Sequence, residues 1–135
     1  MAEYNFLIVD DDEDDHDFIS AAIKKVHFGA NIKSFFDGVQ LSTHWFSDAE
    51  KPNVILLDLN MRIIDGKVAL QNIRKDPALK GVPVIIITTA SAFESKEKYQ
   101  RLGANGFYSK PYNLTDMVKI ISEITDNWLK KPMLA

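Results

Sequence analysis

Three short runs of apolar residues constrain the fold of this chain more than any other feature. They lie at residues 6–9, 54–57 and 82–87, and each is essentially uninterrupted by polar side chains. Continuous apolar runs of this kind are typical of strands buried on both faces, as in a parallel sheet, and not of strands with one face in water. The chain is therefore predicted to contain a parallel sheet that is covered on both sides.

Amphipathic stretches alternate with these runs and supply the covering layers. Weaker strands are predicted at residues 32–36 and 106–108, where Gly106 begins the last one. Helices are predicted within residues 18–26, 39–47, 68–73, 94–102 and 114–128. Trp45 and Phe46 are assigned to the apolar side of the second helix, and Asn113 to the N-cap of the last. Five strands alternating with five helices predict an α/β fold with helices on both faces of the sheet.

Composition limits the class of protein. The chain has 135 residues, 46% of them hydrophobic, no cysteine and a formal net charge of -3. This length predicts one domain, over residues 1–135 with a core at about 4–129, and leaves little room for a second. The charge predicts no nucleic-acid partner, and the lack of cysteine excludes disulfides and thiolate metal sites. No apolar stretch reaches transmembrane length, so we expect a cytoplasmic protein without membrane insertion.

Polar or ionisable residues follow every clear strand. Asp10 and Asp11 follow the first apolar run, Asp58 follows the second, Thr88 follows the third, and Lys110 follows the last strand. Taken singly, each has a plainer interpretation, as a helix N-cap, a β-branched strand residue or a surface lysine. However, the carboxyl ends of parallel strands lie at one edge of the sheet, where sites form in folds of this class. We therefore expect these side chains to converge.

The chemistry of this set favours phosphoryl transfer. Carboxylates close together repel one another, and a hard divalent cation such as Mg²⁺ relieves that repulsion. A phosphoryl group could then lie between the metal and Lys110, with a hydrogen bond from Thr88. Asp58, in the middle of the pattern, is the candidate nucleophile. The acidic run does not match a calcium loop, because Asp15 and Ala21 occupy the positions of its glycine and its closing glutamate.

The residues also resemble a known family, the receiver domains of bacterial two-component response regulators, from about residue 4 to about residue 129. The resemblance rests on five motifs in the order that the family has them: Val9-Asp10-Asp11, Leu57-Asp58-Leu59-Asn60-Met61, Asp65-Gly66, Ile87-Thr88-Thr89-Ala90 and Phe107-Tyr108-Ser109-Lys110-Pro111. It implies a flavodoxin-like five-stranded parallel sheet of order 2-1-3-4-5. It also implies a stand-alone phosphoacceptor switch similar to the chemotaxis regulator, not an enzyme.

The resemblance implies a role for each site residue. Asp58 is the implied phosphoacceptor, and the implied Mg²⁺ ligands are Asp10, Asp11, Asp58 and the backbone carbonyl of Asn60, with Asp10 acting through a water. Lys110 is expected to pair with the phosphoryl group, and the Lys110–Pro111 peptide bond is expected to be cis. Thr88 and Phe107 are the implied switch residues: Thr88 moves toward the phosphoryl group and Phe107 then turns inward.

The implied partners are a sensor histidine kinase or a histidine phosphotransfer protein, and a separate downstream protein whose identity the sequence does not reveal. The chain is expected to be a monomer or a homodimer that forms on phosphorylation. The proposed binding surface consists of the polar helix near residues 96–101, the last strand and the terminal helix.

Three departures from the family pattern bear on the site. Arg62 stands where the family usually has proline, which predicts a looser loop beside Asp58, and Phe107 replaces the commoner tyrosine. A few extra residues are placed at about 44–51. His16, His27 and His44 form no ligand spacing and are interpreted as surface or partly packed residues.

Two other functions need residues that this chain does not have. A magnesium-dependent aspartyl-phosphate phosphatase of the haloacid dehalogenase type needs a second aspartate two residues after its nucleophile, and this chain has Asn60 there. A flavodoxin needs a hydroxyl-rich phosphate loop after the first strand, where this chain has acids that repel phosphate.

Overall fold

The computed structural model describes residues 4–62, 64–89 and 96–130. Five parallel strands form one sheet in the order β2-β1-β3-β4-β5, which confirms the predicted fold. The strands are β1 (Asn5–Val9), β2 (Asn31–Phe35), β3 (Val54–Leu57), β4 (Val84–Thr88) and β5 (Gly106–Ser109). Every residue of β3 and β4 is buried, because these central strands are covered on both faces.

Two helical layers cover the sheet. The helices of the described residues are α1 (Glu13–Val26), α2 (Gly38–Thr43), α3 (Gly66–Lys75), α4 (Lys96–Arg101) and α5 (Leu114–Ile124). Helices α1 and α5 contribute Ile23 and Ile121 to the core on one face, which includes Phe6 and Ile8 of β1. Helices α2 and α3 contribute Leu41 and Leu70 to the core on the other face. Alternate residues of each apolar run therefore belong to two separate hydrophobic clusters, one on each face of the sheet.

Short polar side chains begin the helices that follow the strands. The Asp12 side chain accepts a hydrogen bond from the backbone N–H of Asp14, and Asp65 accepts one from Val68. Asn113 accepts one from the backbone N–H of Asp116, as the sequence predicts for the N-cap of α5. Capping therefore assigns a structural role to Asp12, the third of the three consecutive aspartates, and leaves the two before it for other contacts.

Helix α2 is shorter than predicted. It ends at Thr43, and residues 44–53 lead to β3 without helical structure. Asn5 of β1 holds this segment by donating hydrogen bonds from Nδ2 to the backbone carbonyls of Ala49 and Lys51. Phe46 packs in the core as expected, but Trp45 is 80% exposed. The assignment of Trp45 to a buried helix face was wrong, because α2 ends two residues before it and the following segment is held to β1 instead.

After α5 the helix continues as one wider, π-helical turn at Thr125–Leu129, so the predicted long terminal helix ends in altered geometry. Residues 90–95 lie outside the described residues, and with them the predicted start of the fourth helix at residue 94. Among the residues that are described, no helix combines the length and the hydropathy that crossing a membrane requires.

Candidate functional site

The four polar strand ends meet at the carboxyl edge of the sheet. Backbone hydrogen bonds extend the strand pairing to these residues. The N–H of Asp58 donates to the carbonyl of Val9 at 2.9 Å, and the N–H of Lys110 donates to the carbonyl of Thr88 at 2.6 Å. These bonds continue the sheet and fix the backbone positions of Asp58 and Lys110 relative to the neighbouring strands.

Asp58 lies at the centre of this edge and is almost fully buried, with 4% of its surface exposed. Its Oδ1 accepts hydrogen bonds from the Thr88 hydroxyl at 3.0 Å and from the backbone N–H of Asn60 at 3.3 Å. Its Oδ2 lies 3.3 Å from the ammonium nitrogen of Lys110. The carboxylate is therefore held between a hydroxyl and a cation.

Asp10 and Asp11 lie beside Asp58. One carboxylate oxygen from each of the three lies within 4.8 Å of the others, a separation that a single metal ion could bridge. Burial raises the pKa of Asp10 to about 7, and the nearby charge of Asp58 adds to the rise, while the Asp12 N–H and Lys110 oppose it. Oδ2 of Asp10 is buried without a well-formed hydrogen bond, although the Lys110 ammonium lies 3.1 Å away. These residues fit a hard divalent cation, because they offer clustered carboxylate oxygens that lack sufficient counter-charge.

Lys110 is surrounded by three carboxylates. Its Nζ lies 2.6 Å from Asp15, 3.1 Å from Asp10 and 3.3 Å from Asp58. Burial alone would lower the pKa of Lys110, but the hydrogen bond to Asp15 and the charges of Asp10 and Asp58 outweigh it and raise the pKa above its usual value. The lysine is therefore a permanent cation at this site. Asp15 was not among the predicted site residues.

The Lys110–Pro111 peptide bond is not cis. The structure contains no cis peptide bond among its described residues, so this expectation was wrong. Lys110 reaches all three carboxylates from a trans peptide bond, which is also the lower-energy isomer for a residue before proline.

Asn60 and Arg62 occupy the loop after β3. The Asn60 side-chain amide donates to the hydroxyl of Thr89 at 2.9 Å and of Thr88 at 3.4 Å. Arg62 contacts Asp11 twice, since both its backbone N–H, at 3.2 Å, and its Nε, at 3.1 Å, donate to Oδ2. This loop was predicted to be looser because it lacks the usual proline. Arg62 instead holds it to the acidic cluster through Asp11, a contact that no sequence pattern predicted.

The two predicted switch residues are both buried. Thr88 is 0% exposed and Phe107 is 7% exposed, and the Phe107 ring lies 6.5 Å from that of Tyr99 in α4. Phe107 belongs to the same hydrophobic cluster as Leu57, next to Asp58 in the chain. The aromatic ring is therefore in an inward position.

His16 is buried, which corrects its assignment as a surface or partly packed residue. Only 3% of it is exposed, and its ring packs against Phe36 with centroids 4.2 Å apart. Its Nε2 donates to the backbone carbonyl of Asp10 at 2.6 Å, because a carbonyl oxygen can only accept. The contact supports the backbone of the acidic cluster from helix α1. His27 and His44 are partly buried, as predicted.

An open cleft gives access to these groups. Residues that follow β1, β3, β4 and β5, with Asp15 of α1, line it: Asp11, Asp12, Asp15, Asp58, Asn60, Thr89, Lys110, Pro111 and Tyr112. Tyr112, at the end of this series, is 99% exposed. A buried carboxylate beside a fixed cation thus remains reachable from solvent.

Comparison with known families assigns the chain. The profile of the "Response regulator receiver domain" family matches residues 6–122. The chain belongs to this family. A receiver domain is a phosphoacceptor and not a classical enzyme, which decides against both the phosphatase and the flavodoxin.

Individual relatives agree with the assignment. The response regulator Rcp1 of Synechocystis sp. is 28% identical over 92% of this receiver domain and 88% of its own length. The crystal structure of the phosphorylated cyanobacterial phytochrome response regulator RcpA has 27% identity and a TM-score of 0.82, and covers 98% of this chain and 99% of its own. The Mn²⁺-bound form of Rcp1 has 27% identity and a TM-score of 0.77, with the same coverage.

Proposed function

We propose that this receiver domain accepts a phosphoryl group on Asp58 from the phosphohistidine of a sensor histidine kinase or histidine phosphotransfer protein. A carboxylate oxygen of Asp58 forms the new P–O bond, the P–N bond of the donor breaks, and the imidazole leaves with that electron pair. One observation carries the proposal: Asp58 lines an open cleft with Oδ1 against the Thr88 hydroxyl and Oδ2 against the Lys110 ammonium.

Asp10, Asp11 and Asp58 would hold Mg²⁺, with the backbone carbonyl of Asn60 as a further ligand and Asp10 acting through a water. When bound, the cation neutralises carboxylate charge and draws charge from phosphoryl oxygens. The buried Asp10 carboxylate supports this assignment, because its raised pKa reflects a charge that burial leaves poorly compensated. The Mn²⁺-bound structure of the relative Rcp1 supports a divalent cation in this family.

Lys110 and Thr88 would stabilise the charge of the transferred group. The Lys110 ammonium already faces Asp58 at 3.3 Å, so a phosphoryl oxygen on that carboxylate would enter its range without a large displacement. The Thr88 hydroxyl would exchange its hydrogen bond with Asp58 for one with the phosphoryl group. The phosphorylated form of RcpA supports covalent modification in this family.

The output would follow from the movement of Thr88. Phe107 begins inward in this structure, so phosphorylation would stabilise this rotamer and not create it. The changed surface would comprise α4, β5 and α5; α4 has no fully buried residue and contacts the core through the partly buried Tyr99. A separate cytoplasmic protein would bind it, with the receiver domain as a monomer or as a homodimer formed on phosphorylation.

Labelling with a small phosphodonor tests the acceptor. Incubation with phosphoramidate and Mg²⁺ should add one phosphoryl group that is stable to acid and labile to base, as intact-mass spectrometry measures. Asp58→Asn should abolish the label, and chelation of Mg²⁺ should suppress it. Asp17→Asn, an exposed aspartate of α1, is the matched control and should label normally. Equal labelling of Asp58→Asn and wild type would overturn the proposal.

The coupling of acceptor to surface needs a second measurement. Lys110→Ala should still accept some phosphoryl label, but the amide resonances of α4, β5 and α5 should shift less on phosphorylation than in wild type. A full response of these resonances in the labelled variant would contradict the coupling role of Lys110.

A further inference from the structure

Asp15 is the closest carboxylate to Lys110, yet it lies outside the acidic cluster that could bind metal. Its Oδ2 is 2.6 Å from the Lys110 ammonium, whereas Asp10 and Asp58 are 3.1 Å and 3.3 Å away. The three carboxylates that can share a metal ion are Asp10, Asp11 and Asp58. Asp15 therefore contributes a negative charge to the lysine and not to the metal-binding group.

This ion pair is partly shielded from water. The side chains of Lys110 and Asp15 are 20% and 27% exposed, so their attraction is stronger than that of a fully exposed pair. Asp15 is on α1, anchored by the capping contact of Asp12, while Lys110 follows β5. The helix therefore presents Asp15 to the lysine from a fixed position.

We propose that Asp15 is a positioning residue that holds Lys110 in the unphosphorylated state and so competes with the phosphoryl group for the ammonium. The inference rests on the proposed acceptor function of Asp58. A phosphoryl group on Asp58 brings more negative charge than the carboxylate it replaces, and its oxygens need the N–H donors of Lys110. Lys110 has three such donors, and Asp15, Asp10 and Asp58 surround them in the present structure.

Asp15 thus raises the free energy of the phosphorylated form relative to the unphosphorylated form. While Asp15 is paired with Lys110, the ammonium is less available to the phosphoryl oxygens. The Asp15 carboxylate also repels those oxygens, and both effects disfavour the phosphorylated form. Replacing Asp15 with asparagine keeps the size of the side chain but removes its charge. The loss should strengthen the interaction of Lys110 with a phosphoryl group on Asp58.

Binding of beryllofluoride, a phosphoryl mimic, tests this at saturating Mg²⁺. Fluorine NMR should show that Asp15→Asn binds the mimic about fivefold more tightly than wild type. Asp14→Asn is the matched control, because Asp14 is an exposed acid in the same first turn of α1 and its loss alters net charge and helix dipole equally. Asp14→Asn should change the affinity little, and Asp15→Glu should restore the wild-type value.

A double-mutant cycle identifies the route of the effect. In a Lys110→Ala background, Asp15→Asn should no longer strengthen binding if Asp15 acts through the lysine. Unchanged or weaker binding by Asp15→Asn, or an undiminished gain without Lys110, would overturn the inference. Failure of wild type to bind beryllofluoride, or binding that survives Asp58→Asn, would instead count against the acceptor function.

Discussion

The Thr88 hydroxyl donates a hydrogen bond to Oδ1 of Asp58 across 3.0 Å, and both residues are buried. The bond joins the last residue of β4 to the residue that follows β3, so it connects two neighbouring strand ends at the site. Any group that attaches to Asp58 and attracts this hydroxyl would act directly on β4. Thr88 is therefore the physical connection between Asp58 and β4.

Replacing Thr88 with valine tests this connection. Valine keeps the β-branched shape that suits the strand but removes the donor, so we expect the free energy of unfolding to fall by about 1 kcal/mol in denaturant titrations. Phosphorylation should then shift the amide resonances of β5 less than in wild type. Thr88→Ser retains the hydroxyl and serves as the control. An unaltered response in Thr88→Val would show that the hydroxyl does not transmit the signal.

The buried charge of Asp10 should cost stability when no metal is bound. The folded-state pKa of Asp10, about 7, exceeds the ordinary value of 3.8. The stability associated with the protonated Asp10 carboxyl is therefore fully present below pH 3.8 and is lost as the pH rises through 7. Asp10→Asn removes this loss and should stabilise the fold by on the order of 2 kcal/mol at pH 8 without Mg²⁺. Thermal melts at several pH values measure it. The gain should shrink toward pH 4, and a gain that is independent of pH would argue against this cause.

The contact between Arg62 and Asp11 should weaken metal binding. Nε of Arg62 lies 3.1 Å from Oδ2 of Asp11, so a cation that binds Asp11 must compete with the guanidinium. The arginine side chain is 85% exposed, which limits the effect to about two- to fivefold tighter Mg²⁺ binding in Arg62→Ala. Isothermal titration calorimetry measures the affinity. Arg101→Ala, which removes a similarly exposed arginine from α4, should leave it unchanged.

Gly66 is required by a close approach of backbone. A Cβ at this position would lie 2.5 Å from the Cα of Leu59 and 2.9 Å from the carbonyl oxygen of Asp58. Because neither backbone atom can move without displacing the loop after β3, Gly66→Ala should lower the free energy of unfolding by about 2–4 kcal/mol. Val68→Ala, at a more exposed position of the same helix, is the control for chemical denaturation. Similar stabilities for these two variants would contradict the predicted clash.

His27 should make the fold sensitive to mild acid. Burial lowers its pKa below the ordinary 6.5, and the positive charge of Lys130 lowers it further. A depressed histidine pKa means that the unfolded chain binds the proton more readily, so stability is retained above pH 6.5 and falls as the pH drops below it. His27→Gln can still donate a hydrogen bond to Thr125 and should show a smaller loss between pH 7 and pH 5 in urea titrations. Equal losses in the two proteins would disprove the assignment.

Local patterns were sufficient to predict the sheet and several helix ends. The apolar runs that became β3 and β4 identify buried strands because a strand covered on both faces needs no polar alternation. Asn113 could be recognised as an N-cap because its hydrogen bond reaches only three residues along the chain. The assignment of Asp58, Thr88 and Lys110 to one edge follows from the parallel topology alone.

Contacts between distant parts of the chain were the ones that sequence patterns missed. Lys110 and Asp15 are 95 residues apart, and Arg62 and Asp11 are 51 apart. Taken in isolation, Asp15 is one acid among many at the start of α1 and Arg62 is an exposed loop residue. Nothing in their local sequence indicates which opposite charge each will meet.

The sequence by itself determined where the strands lie, that they run parallel, and that their carboxyl ends gather acids, a hydroxyl and a lysine. Only the tertiary structure decided how the three consecutive aspartates divide their roles. Asp10 is buried beside Lys110, Asp11 pairs with Arg62, and Asp12 caps α1. The reason is physical: burial and charge pairing depend on which elements pack around each carboxylate, and adjacent residues of the same type leave a strand in different directions.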